Sequence, residues 1–254
     1  MAWFPASWRA YTTDMNLFFA SQFNVFGPLV PQLKRVLKNL LCQNILDLGS
    51  GSSGPLPLVQ RQLETEQQYP ITITLTDKFP NVQALHEMAA ASQGKVRCVE
   101  TPVDAMDVPS ELRDFRTMFV TFHHFAPDAA RRILADAVHK QVGIGVFEYT
   151  EPSVTWLIAL LFMPLYAWLA VPFMRPRSWE RFLWTYLLPL PLLFTIWDGL
   201  VSCLRTYSPA ELKQLTRSIE CQDYCWEIGK IRSFGACRIT YLFGYPVKAQ
   251  PNAA

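Results

Sequence analysis

Three groups of residues in this 254-residue chain have side chains and spacings suited to chemistry. The first is the stretch "NILDLGSGSSGP", residues 44–55, in which Asp47 precedes Gly49, Ser50, Gly51 and Gly54. The second is the adjacent pair His123 and His124 in "VTFHHFAP". The third is Asp198, alone in the apolar run "IWDGLVSCLR". Glycines without a Cβ let a chain turn tightly and let a ligand approach the backbone; in this pattern Gly49 and Gly51 serve the turn, and Gly54 lets the following helix pack close to the strand. An ordinary strand-to-helix turn gives the same pattern, and a lone G-x-G-x-x-G is weak evidence. Asp47 adds information, because a carboxylate beside a helix N-terminus repels a pyrophosphate and suits a positively charged ligand. Histidine titrates near neutral pH and is a natural general base. Neighbouring side chains on an extended backbone point to opposite sides, so one of His123 and His124 is expected to face a pocket. A carboxylate in apolar surroundings is paired or has a raised pKa. Arg205, seven residues after Asp198 and about two helical turns away, is its expected partner; the alternative is that Asp198 orients an acceptor or takes its proton.

These residues need a frame. Short apolar runs alternate with amphipathic stretches: strands at "NILDL", "ITITLTD", "KVRCVE", "FRTMFVTF" and "VGIGVFEY", with helices at 55–67, "NVQALHEMAAAS" and "PDAARRILADAVHK". That alternation predicts βαβ units and a parallel sheet. "YCWEIGKIR" and "FGACRITYLFGYPV" predict a C-terminal antiparallel hairpin. Residues 1–43 read as a helical cap broken by Gly27, Pro28 and Pro31. The expected organisation is thus a cap at 1–43, an α/β core at 44–151, an apolar helical insertion at 152–204 and the rest of the core at 205–254. Ligands of open α/β sheets bind at the carboxyl ends of the strands, where the glycine loop, Asp77 and the His pair all fall.

In that setting "ILDLGSGSSG" resembles motif I of the class I S-adenosylmethionine-dependent methyltransferases. The other strand ends resemble that family in order: Asp77 in "ITLTDKFPN", "VDAMDVP", and "VTFHHFAP". The resemblance covers roughly residues 40–150 and the C-terminal hairpin, and Val103 stands where the family has Gly. It implies a seven-stranded, mostly parallel sheet with helices on both faces and the last strand antiparallel. It also implies S-adenosyl-L-methionine as cofactor, held by Asp47, Gly49, Ser50, Gly51, Gly54, Asp77, Lys78, Asp104, Ala105 and Thr121. Asp77 is the acid that holds the ribose hydroxyls, and Asp104 with Ala105 lies near the adenine. His123 and His124 face the cofactor and acceptor region. Read without the resemblance, Asp77 is a turn residue, Asp104 and Asp107 are loop acids or caps, and Glu148 lines an acceptor site or forms a surface salt bridge.

Region 152–204 is unusual. Ser153 to Met174 is 22 residues without a charge, and Phe182 to Trp197 is 16 more, separated by "RPRSWER". The first run is long enough to span a bilayer and the second is not. Pro164, Pro172, Pro189 and Pro191 interrupt both, and the last strands must return to the sheet. Two readings stand. One is a pair of interfacial helices with Trp156, Trp168, Trp179 and Trp184 at headgroup level and Arg175, Arg177 and Arg181 near anionic lipid. The other is a lid whose apolar faces are buried in the protein. Either way the region lies beside the place an acceptor must reach, and it points to a small lipophilic acceptor such as a lipid, quinone or isoprenoid.

The formal net charge of +2 argues against nucleic acid as partner. Six cysteines without a C-x-x-C pair argue against zinc and for a reducing compartment. "MAWFPASWRAYTTDMN" lacks the pattern of a signal peptide, so the expected location is cytoplasmic, peripheral on a membrane where 152–204 serves as an anchor. The sequence does not address oligomeric state. Two rivals to methyl transfer are a nicotinamide-dependent oxidoreductase using the same loop and a non-catalytic membrane-associated scaffold.

Overall fold

The computed structural model describes residues 6–51, 54–174, 177–219, 221, 223–235 and 237–247. Arg175 and the Ser52–Ser53 pair therefore lie outside the described residues. The chain opens with helix α1 (Ala6–Gln22) and, after a turn at Gly27–Leu29, helix α2 (Val30–Asn39). Strand β1 (Asn44–Leu48), helix α3 (Leu56–Thr65), β2 (Thr72–Thr76), α4 (Val82–Ala91), β3 (Val96–Cys98), β4 (Phe115–Phe119), α5 (Pro127–His139) and β5 (Ile144–Glu148) follow. The insertion contributes α6 (Val154–Leu161), α7 (Met163–Ala170), the short α8 (Trp179–Phe182) running into a π-turn at Leu183–Leu187, and α9 (Leu190–Arg205). Helix α10 (Pro209–Arg217) begins with Ser208 and Glu211 in a reciprocal capping box, and β6 (Tyr224–Arg232) and β7 (Arg238–Pro246) close the chain.

Seven strands form one sheet in the order β3-β2-β1-β4-β5-β7-β6. Pairings among β1 to β5 are parallel, and β7 lies antiparallel between β5 and β6. The period of two sorts side chains onto two faces. Ile45, Ile73, Phe115, Phe147 and Phe243 pack with α2 and α3, whereas Leu46, Leu48, Met118, Val146 and Leu242 pack with α5 and α10. Gly145 is required by the first of these layers, since a Cβ there would stand 2.4 Å from the Phe147 ring.

The N-terminal helix and the insertion share a third core. Tyr11 and Met15 of α1 bury against Ala167 and Val171 and against Leu192 of α9. Tyr11 bonds to Thr185 at 3.0 Å and Thr12 to Thr195 at 3.0 Å. Arg181 is buried and donates to Asp14 at 2.5 Å, so it is not a lipid-facing cation; the carboxylate on α1 draws it inward. Trp184 likewise turns inward, edge-on to Trp8 at 5.6 Å, and Trp156 packs on Tyr149 at 5.6 Å. Of the four tryptophans expected at headgroup level, only Trp168 and Trp179 are exposed. Among the described residues no single helix is long and apolar enough to cross a membrane; two pairs bent by 47° and 79° pass by length and composition only together.

Candidate active site

Strand β1 delivers Asp47 to its carboxyl end, and the chain then turns through Gly49, Gly51 and Gly54 with φ of 70°, 53° and 51°. A Cβ on Gly49 would meet Thr121 Cγ2 at 2.8 Å. Gly51 and Gly54 face open space, so Gly54 is needed for its left-handed backbone and not for the close helix packing that its place in the motif suggests. Ser50 is buried and ties the turn down: its N–H donates to Thr76 O at 2.9 Å and its hydroxyl to Asp47 O at 3.0 Å. Asp77 braces the loop from the end of β2, where Oδ2 accepts the Gly51 N–H at 2.9 Å and Oδ1 the Phe79 N–H at 2.8 Å.

Asp47 is buried, and burial pushes its carboxyl up to about 7. The Thr117 hydroxyl, donating at 2.6 Å, and Ser50 oppose that rise, while the nearby charge of Asp77 adds to it. A positively charged ligand group here would restore the ionised form. Lys78 pairs with Asp104 at 2.8 Å, which holds that carboxyl below its ordinary value, and Asp104 also accepts the Met106 N–H at 3.0 Å. The ion pair is solvent-exposed, and Ala105 is buried beside it.

Beyond β4 the backbone is strained. Val120 sits at φ 51°, a left-handed conformation that a β-branched residue rarely adopts. Nothing in the sequence marks this residue. The kink leads through Thr121, which donates to Phe119 O at 2.8 Å, into a 3-10 turn at Phe122–His124. The two imidazoles are therefore not on an extended backbone; their ring centres are 4.3 Å apart and both border the same cavity. His123 is buried, with Nδ1 2.9 Å from Glu148 Oε2 and its backbone N–H donating to Oε1 at 3.2 Å. Glu148 is thus neither a surface salt bridge nor a bystander: β5 ends where it can hold the imidazole. Burial, then the neighbouring His123, lowers the pKa of His124, which is neutral at pH 7.

Asp198 departs from its sequence reading. It is exposed, and it has no hydrogen bond or ion pair among the described residues. Arg205 donates instead to His124 O at 3.0 Å, because α9 runs past the His turn. Asp198 nonetheless borders the cavity, and its charge acts on His124.

The residues expected to hold the cofactor, together with His123, His124 and Asp198, border one cavity of about 1190 Å³; Glu148, read from the sequence as lining an acceptor site or forming a surface salt bridge, and Asp107 do not line it. One end is the glycine loop with Asp77, Lys78 and Asp104. The other is apolar, walled by Phe19 and Phe23 of α1, by Tyr149, and by Trp156, Leu160 and Tyr166 of the insertion. His123, held by Glu148, borders the same cavity, as does Thr121. Single drug-sized ligands fill roughly 300–1,000 Å³, so this space suits two molecules side by side. The sequence did not single out α1 as a wall; its aromatic spacing was the available signal. Among the described residues no group of His, Cys, Asp and Glu could hold a metal ion.

No family model matches the chain, and no curated protein matches it. Solved structures do. An O-methyltransferase from neocarzinostatin biosynthesis, in complex with S-adenosylmethionine and 2-hydroxy-5-methyl naphthoic acid, is similar at 14% identity and TM-score 0.46, over 80% of this chain and 49% of that one. A SAM-dependent methyltransferase from Aquifex aeolicus is similar at 16% and 0.47, over 88% and 92%. A putative Zn-dependent alcohol dehydrogenase from Rhodobacter sphaeroides is similar at 12% and 0.47, over 81% and 84%. The chain spans about half the length of the neocarzinostatin enzyme and of the mitomycin 7-O-methyltransferase. The sheet itself, seven-stranded and with only its last strand reversed, is the α/β fold that the resemblance to class I methyltransferases implies.

Proposed function

We propose that the protein transfers the methyl group of S-adenosylmethionine to a small lipophilic acceptor. The observation that carries this is a single cavity lined both by a glycine loop ringed by acids and by an apolar wall, with His123, held by buried Glu148, bordering it. The residues fit the cofactor. Gly51 offers space that a Cβ would fill, Asp77 and Asp104 offer carboxylate oxygens to hydroxyl and amino groups, and buried Asp47 lacks a cation that a sulfonium-bearing amino acid would bring. A nicotinamide dinucleotide would instead set a pyrophosphate against Asp47 beside the glycine loop.

When bound, the cofactor supplies a methyl group on a positively charged sulfur, a leaving group already activated. The chain's residues then have three tasks. They align the acceptor, exclude water with the walls of α1, α6 and α9, and remove a proton where the acceptor loses one. In the tautomer that donates Nδ1–H to Glu148 Oε2, the Nε2 lone pair of His123 is left as the basic site. An acceptor hydroxyl would give its proton to that nitrogen, with the methyl group coming from the cofactor's sulfonium and the sulfur leaving as the neutral thioether. His124, neutral and flanking, and Asp198, free in the wall, are the other groups able to orient an acceptor.

We further propose that the protein attaches peripherally to a membrane. The support is that Leu157, Ile158, Leu161, Leu165, Leu169 and Trp168 are all exposed on the neighbouring helices α6 and α7. Calorimetry with S-adenosylmethionine, its demethylated product and NAD tests the cofactor half: heat with the first two and none with NAD is expected, and the reverse sinks it. Transfer of label from methyl-labelled cofactor into a lipid extract tests the acceptor half; label found only in water-soluble products removes the lipophilic acceptor.

A further inference from the structure

The cavity borders two kinds of surface. At the cofactor end stand Lys78 and Phe79, with the exposed Lys78–Asp104 ion pair. At the far end stand Phe162, which follows α6, and Trp197 on α9, 61% and 65% exposed. A charged pair belongs in water, whereas Phe162 and Trp197 continue an apolar face that runs without charge from residue 153 to 174. Leu160 and Gly199 both border the cavity, and a Cβ on Gly199 would stand 2.8 Å from Leu160 Cδ2, so at this point the buried Leu160 side chain closes α6 against α9.

Resting on the methyl-transfer reading, we infer that the cavity has two mouths: the cofactor exchanges with water past Lys78 and Phe79, and the acceptor arrives sideways from a lipid leaflet between α6 and α9, parting Leu160 from Gly199. The occupant of the apolar face is a fluid leaflet and not a second protein copy. A protein seated over Phe162 and Trp197 would plug the chamber, whereas a leaflet covers the face and supplies the ligand. The helices suit that position. Helices α6 and α7, of 8 residues each, reach about 12 Å apiece, so neither alone spans the roughly 30 Å of a bilayer, and the 47° bend between Val154–Leu161 and Met163–Phe173 breaks a straight crossing; on this reading they lie in the interface. The acceptor this geometry admits is a bilayer-resident amphiphile methylated on its head group. Its head passes Asp198 towards His123 and His124 while its tail remains between Phe162 and Trp197. An enzyme built this way changes cofactor without leaving the membrane.

Bimane attached to Trp197→Cys or to Phe79→Cys, with labelling of the unsubstituted chain subtracted, tests the two mouths on phosphatidylcholine–phosphatidylglycerol vesicles with plain or brominated acyl chains. We expect the probe at 197 to be quenched at least about threefold more than at 79. Equal quenching, or failure of the protein to float with any vesicle, overturns the inference. Affinity for S-adenosylmethionine is expected to stay within about twofold with and without vesicles; marked weakening would mean that the membrane covers the cofactor end as well, which also overturns it. A second variant, Leu160→Cys with Gly199→Cys, staples α6 to α9 on oxidation. The oxidised form should still bind cofactor yet lose uptake of dansyl-undecanoic acid from vesicles, and reduction should restore it; undiminished uptake would show that the probe enters elsewhere. Absence of cofactor binding in water, with quenching at 197 intact, would sink the methyl-transfer reading and leave the leaflet contact standing.

Discussion

The two ends of the cavity are built by different means. At the strand ends, position is set by the backbone. Ser50 N–H to Thr76 O, Gly51 N–H to Asp77, and the Thr76 hydroxyl to Asp47 O at 2.7 Å lock the loop to two neighbouring strands. At the helical end, position is set by side-chain packing with a few polar anchors, such as Tyr11 to Thr185 and Arg181 to Asp14. Directional bonds fix donors and acceptors in space, and packing fixes only volume. The first end thus suits a ligand recognised atom by atom, and the second a ligand recognised by shape and apolarity. Substitutions at the two ends should therefore separate: those at the strand ends change cofactor affinity, those at the helical end change acceptor use, and those at the His123–Glu148 pair change the rate.

The largest effect is expected at that pair. His123→Ala removes the imidazole that Glu148 holds, and for a hydroxyl acceptor kcat should fall by about 10²–10⁴ while the cofactor dissociation constant stays the same. Glu148→Gln keeps the shape but changes which ring nitrogen bears hydrogen, so it should reproduce much of that loss. Unchanged kcat in both would mean that the acceptor loses no proton to this pair. Next comes Gly51→Val. It forces a β-branched residue to φ 53° and fills the open space beside the loop, and cofactor affinity should fall by more than about a hundredfold, read by calorimetry. Asp77→Ala should cost less, on the order of ten- to a hundredfold, because one charge-assisted partner is lost and Gly51 loses its brace. An unchanged constant with an intact circular dichroism spectrum would reduce Asp77 to a turn residue.

The contrast also explains which parts were legible in the sequence. Strands announce themselves by period and by glycines at their ends, so the order of strands and helices and the loop at Gly49–Gly54 could be read directly. A residue's partner across the fold cannot be. Asp198 looked buried because its sequence neighbours are apolar, but on α9 it falls on the exposed side, and Arg205 finds a carbonyl on the His turn instead. Arg181 looked like a lipid-facing cation because it lies in "RPRSWER", and only the fold brings Asp14, 167 residues earlier, against it. His123 and His124 looked divergent because an extended backbone was assumed. The left-handed Val120 and the turn after it set both rings at the cavity, and no residue type signals that kink.

The smallest expected effect tests the strand-end region through pH. Asp47 is raised from 3.8 to about 7 by burial. A carboxyl raised by folding stabilises the folded protein below its unfolded value, and that contribution fades as pH climbs through the folded one. The cofactor-free protein should therefore lose stability from Asp47 between about pH 4 and pH 7, with no further loss from this group above it. Cofactor binding should run the other way. A cation placed beside Asp47 favours the carboxylate, so binding expels a proton wherever the free protein still holds one. With a free value of about 7 and a bound value well below it, affinity should improve about tenfold between pH 6 and pH 8 and level off beyond. Calorimetry in two buffers of different ionisation enthalpy measures the proton directly: release of about three-quarters of a proton per site near pH 6.5, falling towards zero by about pH 9. Asp47→Asn should abolish both the slope and the release. A wild-type affinity flat from pH 6 to 8 would mean that the ligand's positive charge lies away from Asp47, and that the carboxyl serves only to bond Thr117.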